Sequence, residues 1–569
     1  MQKRWSVKPG PDPALVKSLS KELNINHILT SLLIQRGIST FEEARHFFRP
    51  LIDHLHDPYL MKDMDKAIDR IEKAIATQER ILIYGDYDVD GTTAVALVYT
   101  FLKTRYPHLD FYIPDRYKEG YGVSTAGIDW AHSNGYSLII ALDCGIKAID
   151  KIDYANSLGI DFIICDHHRP GAILPAAYAV LDPKRSDCSY PFDELSGCGI
   201  GFKLIQAFAI RHQVPFRELE EYLDLVAVSI AADIVPITGE NRTLAYFGLQ
   251  RLNKHPRAGI KAILEVSGVN KELTISDIVF TIAPRINAAG RIESGNQAVE
   301  LLIADNAATA RFQGDEINEK NITRKSLDQN ITEQAFAQIE QNEDFKNRKS
   351  TVVFHPDWHK GVIGIVASRL TDKYYRPTIV LTQSNGYVAG SARSVKDFDI
   401  YNAIEACSEL LDQFGGHMYA AGLTMKPENI PAFCEKFEKI VAGTIKENSL
   451  TREIEIDSAL ELKDITPSFF KILRQFAPFG PGNMAPVFKT EIVKDTGYGR
   501  VVGNNHLKLN LVHNGSRNSS FDCIGFQMGH YHPMIANGMP FNVCYHIEEN
   551  NFNNKTSLQL NMKDISFES

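Results

Sequence analysis

The chain has 569 residues, 44% of them hydrophobic, and a net charge of −9; that length exceeds what one core can organise and implies three or four domains of ordinary soluble type. No apolar run of about eighteen residues occurs and the opening MQKRWSVKPGPDPALV lacks a secretion signal's apolar segment, so neither a membrane span nor export is expected and the cytoplasm is. The eight cysteines are scattered without a Cys-x-x-Cys pair, which argues against a disulfide framework or zinc ribbon, and the negative charge means that any nucleic-acid binding must use a local basic face.

In chain order, 1–58 reads as an N-terminal helical segment. From about Met61 to Pro236, short apolar runs (RILIYG, DFYIP, SLIIAL, DFIIC, AYAVL) alternate with stretches long enough for crossover helices, the pattern of a mostly parallel sheet in an α/β domain. No proline occurs between Pro284 and Pro356, and Leu301, Leu302, Ile317, Ile322, Leu327, Ile331, Phe336 and Ile339 recur at roughly helical spacing. Residues 296–345 therefore read as a long helix connecting two lobes. Within 346–450, the strand candidates STVVFH, RPTIVLT and GYVAGSARS surround the helical GVIGIVASRLTDKYY, a second and smaller α/β unit. From 451 to 569, period-two alternation in HLKLNLVHN and SLQLNMKDISF predicts a small β-barrel or sandwich.

Ligands of open parallel sheets bind beyond the carboxyl ends of the strands. Asp86, Asp88 and Asp90 follow ILIYG, Asp143 follows LIIAL, Asp166-His167-His168 follows DFIIC, and Asp233 follows VAVSIAA. A strand-end aspartate is also a common helix cap, the alternative for Asp90, and Asp182 after AYAVL fits the same pattern without being selected. Carboxylates meeting within about 4 Å cost roughly 4 kcal/mol per pair at an effective dielectric near 20, so a converging cluster requires protons or cations. Imidazole beside carboxylate suits divalent Mn, Fe or Zn, with Mg held mainly by the carboxylates. Successive side chains of an extended chain alternate, which assigns His167 as a ligand and His168 as a group behind it or a phosphate contact.

YGDYDVDG, LDCGI, CDHHRP and AADIVP, in this order, resemble the four motifs of the DHH phosphoesterase superfamily, and PRINAAGR, GSARS and GGHMYAAGLT resemble its RecJ branch with a DHHA1 lobe. The resemblance covers nearly the whole chain and includes FAPFGPGN near the start of the last domain. It implies a DHH domain at 59–295, a DHHA1 domain at 346–450, an oligonucleotide-binding (OB) barrel at 451–569, and a 5′-to-3′ exonuclease on single-stranded DNA using two Mn²⁺ or Mg²⁺ ions. Carried over by position, Asp88, Asp90, Asp143, His167 and Asp233 match metal ligands. Tyr84 stands where many members have a histidine, and Asp86 is its expected substitute on the metal. Asp166 and His168 complete the expected catalytic set, and no Gly-x-Ser-x-Gly elbow or phosphate-loop motif points to other chemistry.

End recognition needs a terminal-phosphate anchor. Arg393 with Ser391 offers a planar cation and a hydroxyl, and the resemblance places both in a 5′-phosphate pocket beside Arg116. His417 of Gly415-Gly416-His417 is a substrate contact or, alternatively, a core histidine in a turn. Arg285, Asn287 and Arg291 match a nucleic-acid path, with a structural role as the alternative. In 484–520, Lys489, Lys494, Arg500, Lys508 and Arg517 stand against Glu491 and Asp495, and Tyr498, His506 and Phe521 could stack bases. Two other classes compete: a DHH phosphodiesterase on short RNA or cyclic dinucleotides, and a non-catalytic strand-binding scaffold. A monomer working in repair and recombination with a helicase and a single-strand-binding protein is the implied setting.

Overall fold

The structure is a computed structural model describing residues 3–513, 520–552 and 555–567. Arg80–Gly85 is buried along all but its first residue, as a strand covered on both faces must be. Strands Leu109–Tyr112, Arg80–Gly85, Tyr136–Leu142, Asp161–Cys165 and Ala179–Leu181 lie side by side in that order, all parallel. Alternation divides their side chains between two cores. Ile81 and Ile83 pack with helices Val89–Lys103 and Gly197–Arg211, whereas Leu82 and Tyr84 join Ile128 and Ile152 of helices Thr125–Ser133 and Ile149–Ser157. Parallel strands bring their carboxyl ends to one edge, and Asp86, Asp143 and Asp166 each follow a strand end there.

Asp233 reaches that edge by another route. VAVSIAA is the end of helix Leu223–Ala232, not a strand, and Asp233 caps its C-terminus. Leu223 to Ala231 are all buried, and a helix apolar all round carries no periodicity that separates it from a buried strand.

The region 296–345 is also not one helix. Asn296–Ile303 places Leu301 and Leu302 in the first domain's core, and Ala307–Gln341, 35 residues long, begins afresh where the Asn306 side chain accepts from Thr309 N–H. This connecting helix packs Ile317 on the first domain and Ile331, Ala335 and Ile339 on the next. There, strands Gln413–His417, Ala420–Met425, Tyr387–Arg393, Thr378–Ser384 and Thr351–Phe354 form a sheet in that order, parallel only in its last pair. GGHMYAAGLT, for whose Gly415-Gly416-His417 a simple turn is the alternative reading, is therefore a β-hairpin whose first strand ends at His417.

In the last domain Phe488–Asp495 pairs with Phe541–Phe552, that with Lys555–Ser566, that with Ser520–Gly525, that with His506–His513, and His506–His513 pairs back to Phe488–Asp495. The ring is closed, which removes the open sheet edge. The N-terminal segment is not purely helical: Arg4–Val7 is a strand paired in parallel with Glu453–Ile456, and Leu29, Leu32, Leu33 and Phe47 join the barrel's core. Among the described residues no helix is long and apolar enough to cross a membrane.

Candidate active site

Asp90 lies in the first turn of helix Val89–Lys103, and Asp88 caps that helix by accepting from Gly91 N–H at 3.0 Å. The cap alternative therefore falls to Asp88. Asp90 is held by three donors from elsewhere: Gly197 N–H and Cys198 N–H at 2.7 Å, and the Ser229 hydroxyl at 2.6 Å. Gly197 and Cys198 open the helix Gly197–Arg211, whose amide end favours a carboxylate. Asp143 adopts φ 58°, a left-handed conformation that Asp tolerates. It packs so closely on Gly197 that a Cβ there would lie 2.6 Å from its own Cβ.

His167 stands among these acids. Its Nε2 is 3.2 Å from Asp143 Oδ1 and 3.6 Å from both Asp90 Oδ2 and Asp233 Oδ2. Two donor sets gather their atoms within 4.8 Å: Asp143, His167 and His168, and Asp90, His167 and Asp233. Both ring nitrogens of His167 and Oδ2 of Asp86 are buried without a hydrogen-bond partner, a costly state unless something else takes the lone pairs. The Asp86 Oδ1 accepts from Gly122 N–H at 3.3 Å.

The electrostatics agree with crowding. Burial, then Asp88, pushes Asp86 well up; burial, then Asp90, pushes Asp88 up and Asp143 well up. Asp233, whose side chain keeps 31% of its surface exposed at the rim of the cluster, rises to about 8 through partial desolvation and then Asp90. Burial lowers His167, keeping the imidazole neutral and able to coordinate. This mixture of orphaned carboxylate and imidazole donors fits Mn²⁺ or Mg²⁺.

Asp166 is wired differently. Its Oδ2 accepts from Ile146 N–H at 2.9 Å, and its Oδ1 from His167 N–H at 2.8 Å, His168 N–H at 3.1 Å and the His168 ring at 2.7 Å. Burial opposes its ionisation, but the His168 bond and charge outweigh it and hold the carboxyl at about 2. The same pairing outweighs burial at His168 and raises it to about 9. The other ring nitrogen, Nε2, lies 3.2 Å from the Tyr121 hydroxyl.

A groove of about 1190 Å³ joins this cluster to the second lobe; its walls include Asp88, Asp166, His168, Asp233, Ser391, Arg393 and His417. Arg393 Nη1 lies 3.4 Å from Ser391 Oγ, and no carboxylate among the described residues pairs with it. Arg116 stacks over Tyr87 at 5.0 Å and is close enough to Arg393 to add to the lowering that burial causes there. On the helix Ala283–Ile292, Asn287 is half-buried, Arg291 donates to Gly361 O at 3.0 Å, and Arg285 is engaged by Asn318 Oδ1 at 3.0 Å and Thr281 O at 2.8 Å. Sequence reasoning passed over Ser229, Gly197 and Tyr121; only the EGYG around Tyr121 carried a signal. On the barrel, exposed Tyr498 adjoins Arg500 and Lys508 in a shallow hollow, and exposed Phe526 was also passed over. Arg517 lies outside the described residues.

Three family profiles match: the DHH family N-terminal domain at 80–230, the DHHA1 domain at 347–443 and the RecJ OB domain at 456–564. Single-stranded-DNA-specific exonuclease RecJ of Bacillus subtilis is 38% identical over 99% of this chain and 71% of its own. The RecJ of Escherichia coli is 32% identical over 95% of both chains. This chain belongs to the RecJ family. A crystal structure of Thermus thermophilus RecJ in complex with Mn²⁺ matches with a TM-score of 0.84 at 26% identity, covering 99% of this chain and 79% of that one. A second RecJ structure bound to manganese matches at 0.60 and 31% identity over 70% of this chain and 98% of that one. These relatives are named single-stranded-DNA-specific exonucleases, and the donor set here suits the manganese that the two solved structures hold.

Proposed function

We propose that this RecJ protein removes mononucleotides from the 5′ end of single-stranded DNA, with Asp86, Asp88, Asp90, Asp143, His167 and Asp233 holding two Mn²⁺ or Mg²⁺ ions. One observation carries the reading: a single groove is lined both by Asp88, Asp166, His168 and Asp233 of the acid and imidazole cluster and by Ser391 with Arg393, which no carboxylate among the described residues neutralises. When bound, divalent ions acidify the attacking water and offset the charge that develops on the phosphate. The protein's own groups supply placement. Asp166 holds His168 as a cation on the groove wall, where its Nε2 proton, on leaving the Tyr121 hydroxyl, meets a phosphate oxygen or the leaving 3′-oxygen. Ser391 and Arg393 grip the terminal phosphate and stop the strand from passing through, with Arg116 adding positive potential; His417, level with Arg393 two strands along the same sheet, extends that wall. Asn287, Arg285 and Arg291 line the approach, and the barrel tracks the trailing strand by charge and stacking. A cytoplasmic monomer that takes strands opened by a helicase and coated by single-strand-binding protein, in repair and recombination, fits this chemistry.

The test uses a 5′-labelled single strand, its duplex and a dinucleotide, each with Mn²⁺ or chelator. Mononucleotide release from the long single strand alone, abolished by chelator, is expected. Cleavage confined to the dinucleotide, or retention without cleavage, would overturn the reading.

A further inference from the structure

The candidate site is divided between two lobes, with the acids and His167 on one and Ser391 and Arg393 on the other. If Arg393 and Ser391 anchor the 5′ end, the length of the released product is the number of nucleotides between that anchor and the phosphate attacked. Product length is then a lobe-to-lobe register. Lobes joined by a connector move relative to one another unless specific contacts stop them, so something must fix this distance.

The contacts converge on helix Ile363–Tyr374 of the second lobe. Its first turn packs on the anchor pair: a Cβ on Gly364 would lie 2.9 Å from Ser391 Oγ and 3.2 Å from Arg393 Nη2. Just before it, Gly361 O accepts from Arg291 of the first lobe. Further along, Arg369 Nη2 lies 2.5 Å from Asp328 Oδ2 on the connecting helix.

Asp328 is fully buried, within a polar stripe of the connecting helix that also buries Asn321, Arg324 and Thr332. Arg324 Nη2 donates to Asn321 Oδ1 at 2.7 Å, and its Nη1 is 3.9 Å from Asp328 Oδ2. Arg324 Nε and Asp328 Oδ1 have no hydrogen-bond partner. One turn before this stripe, Asn318 of the connecting helix accepts from Arg285 of the first lobe at 3.0 Å and Ile317 packs in the first lobe's core.

Such a stripe is a poor way to stabilise a helix, because buried ion pairs are often matched or exceeded by apolar packing of the same volume. A better-attested use of buried polar groups is registry, since a carboxylate between two guanidinium groups accepts few placements whereas apolar surfaces slide. We propose that Asp328, through Arg369 and Arg324, is a positioning residue that fixes the distance between the end anchor and the metal-binding cluster, and so sets the length of product released. This rests on Arg393 and Ser391 being the anchor.

The experiment follows 5′-labelled single-stranded DNA with Mn²⁺ and resolves the released label by length. The parent should release mononucleotide. Asp328→Asn should release roughly tenfold more di- and trinucleotide, the scale of coupling between contacting groups, while still preferring a 5′-phosphate over a 5′-hydroxyl; Asp328→Glu should restore mononucleotide. Because Asp328 is buried, Arg369→Gln provides a second route, removing the same pair from a side chain that is 46% exposed. Mononucleotide alone from both variants, with the 5′-phosphate preference intact, overturns the register proposal. Absence of any 5′-phosphate preference in the parent instead overturns the anchor on which it rests.

Discussion

Asp166 and Asp233 have the same side chain at the same edge of the sheet, yet their surroundings drive them in opposite directions. Asp166 accepts four hydrogen bonds and stays ionised. Asp233 faces Asp90 and Asp88 and resists ionising. The expected consequence for the metal-free protein has a definite sign. A carboxyl raised to about 8 when folded binds more protons than it does unfolded, so its favourable contribution is present below about 4 and lost as pH rises towards 8. Melting temperature in chelator should therefore fall across that window, and saturating Mn²⁺ should reverse the fall; a flat profile would show that the acids do not meet. Asp233→Asn should raise the metal-free melting temperature while abolishing turnover, and Asp166→Asn should abolish turnover with strand binding retained. Arg393→Ala should leave binding of the trailing strand intact but reduce the preference for a 5′-phosphate, read as the ratio of kcat/KM for the two ends.

At the scale of elements, the site depends on two helix starts meeting one sheet edge. The amides of Gly197 and Cys198 grip Asp90 while Gly197 lets Asp143 lie against them. Gly197→Ala places a methyl where Asp143 already is, and overpacking of this kind costs about 1–3 kcal/mol. Because the helix start and Asp143 must separate, activity should fall far more than the melting temperature, a contrast that activity assays beside calorimetry would read. Loss of stability with full activity would show that the helix start does not position Asp90.

At the scale of the whole molecule, Arg242 ties the parts together. The residue is 5% exposed, and its guanidinium donates to the carbonyls of Phe47, Gln475, Phe476 and Ala477 and lies 3.7 Å over the Phe47 ring. One side chain of the first domain thus holds the N-terminal segment and the FAPFGPGN loop that leads into the barrel. Arg242→Ala should cost roughly 3 kcal/mol, the scale of charged hydrogen bonds lost with their partners left buried. It should also loosen the barrel, so that long strands lose both affinity and its dependence on salt, while hydrolysis of a short oligonucleotide persists. Equal loss on long and short substrates would place the defect in the catalytic lobe instead.

How much of this was legible follows from range. The apolar runs, their alternation with helices and the period-two pattern of the last domain are local, and they pointed to the parallel sheet, a second α/β unit and a barrel or sandwich, of which the structure forms a mixed second sheet and a closed barrel. The strand-end rule likewise collected Asp86, Asp143 and Asp166, because parallel strands carry their ends to a common edge. It reached Asp233 for the wrong reason, since a helix buried on every side has the composition of a buried strand. One helix stops at Ile303 and Asn306 starts another inside a proline-free stretch, and its capping bond is a single contact that periodicity does not register. The Ser229 bond to Asp90, the wiring of Asp166 to His168, the joining of 1–58 to the barrel and the Asp328 contact with Arg369 all link residues brought together only by packing. By itself the sequence determined which groups were available and on which elements they sit; the tertiary structure alone decided which of them touch, because burial and hydrogen bonding across elements depend on the packed arrangement and not on order along the chain.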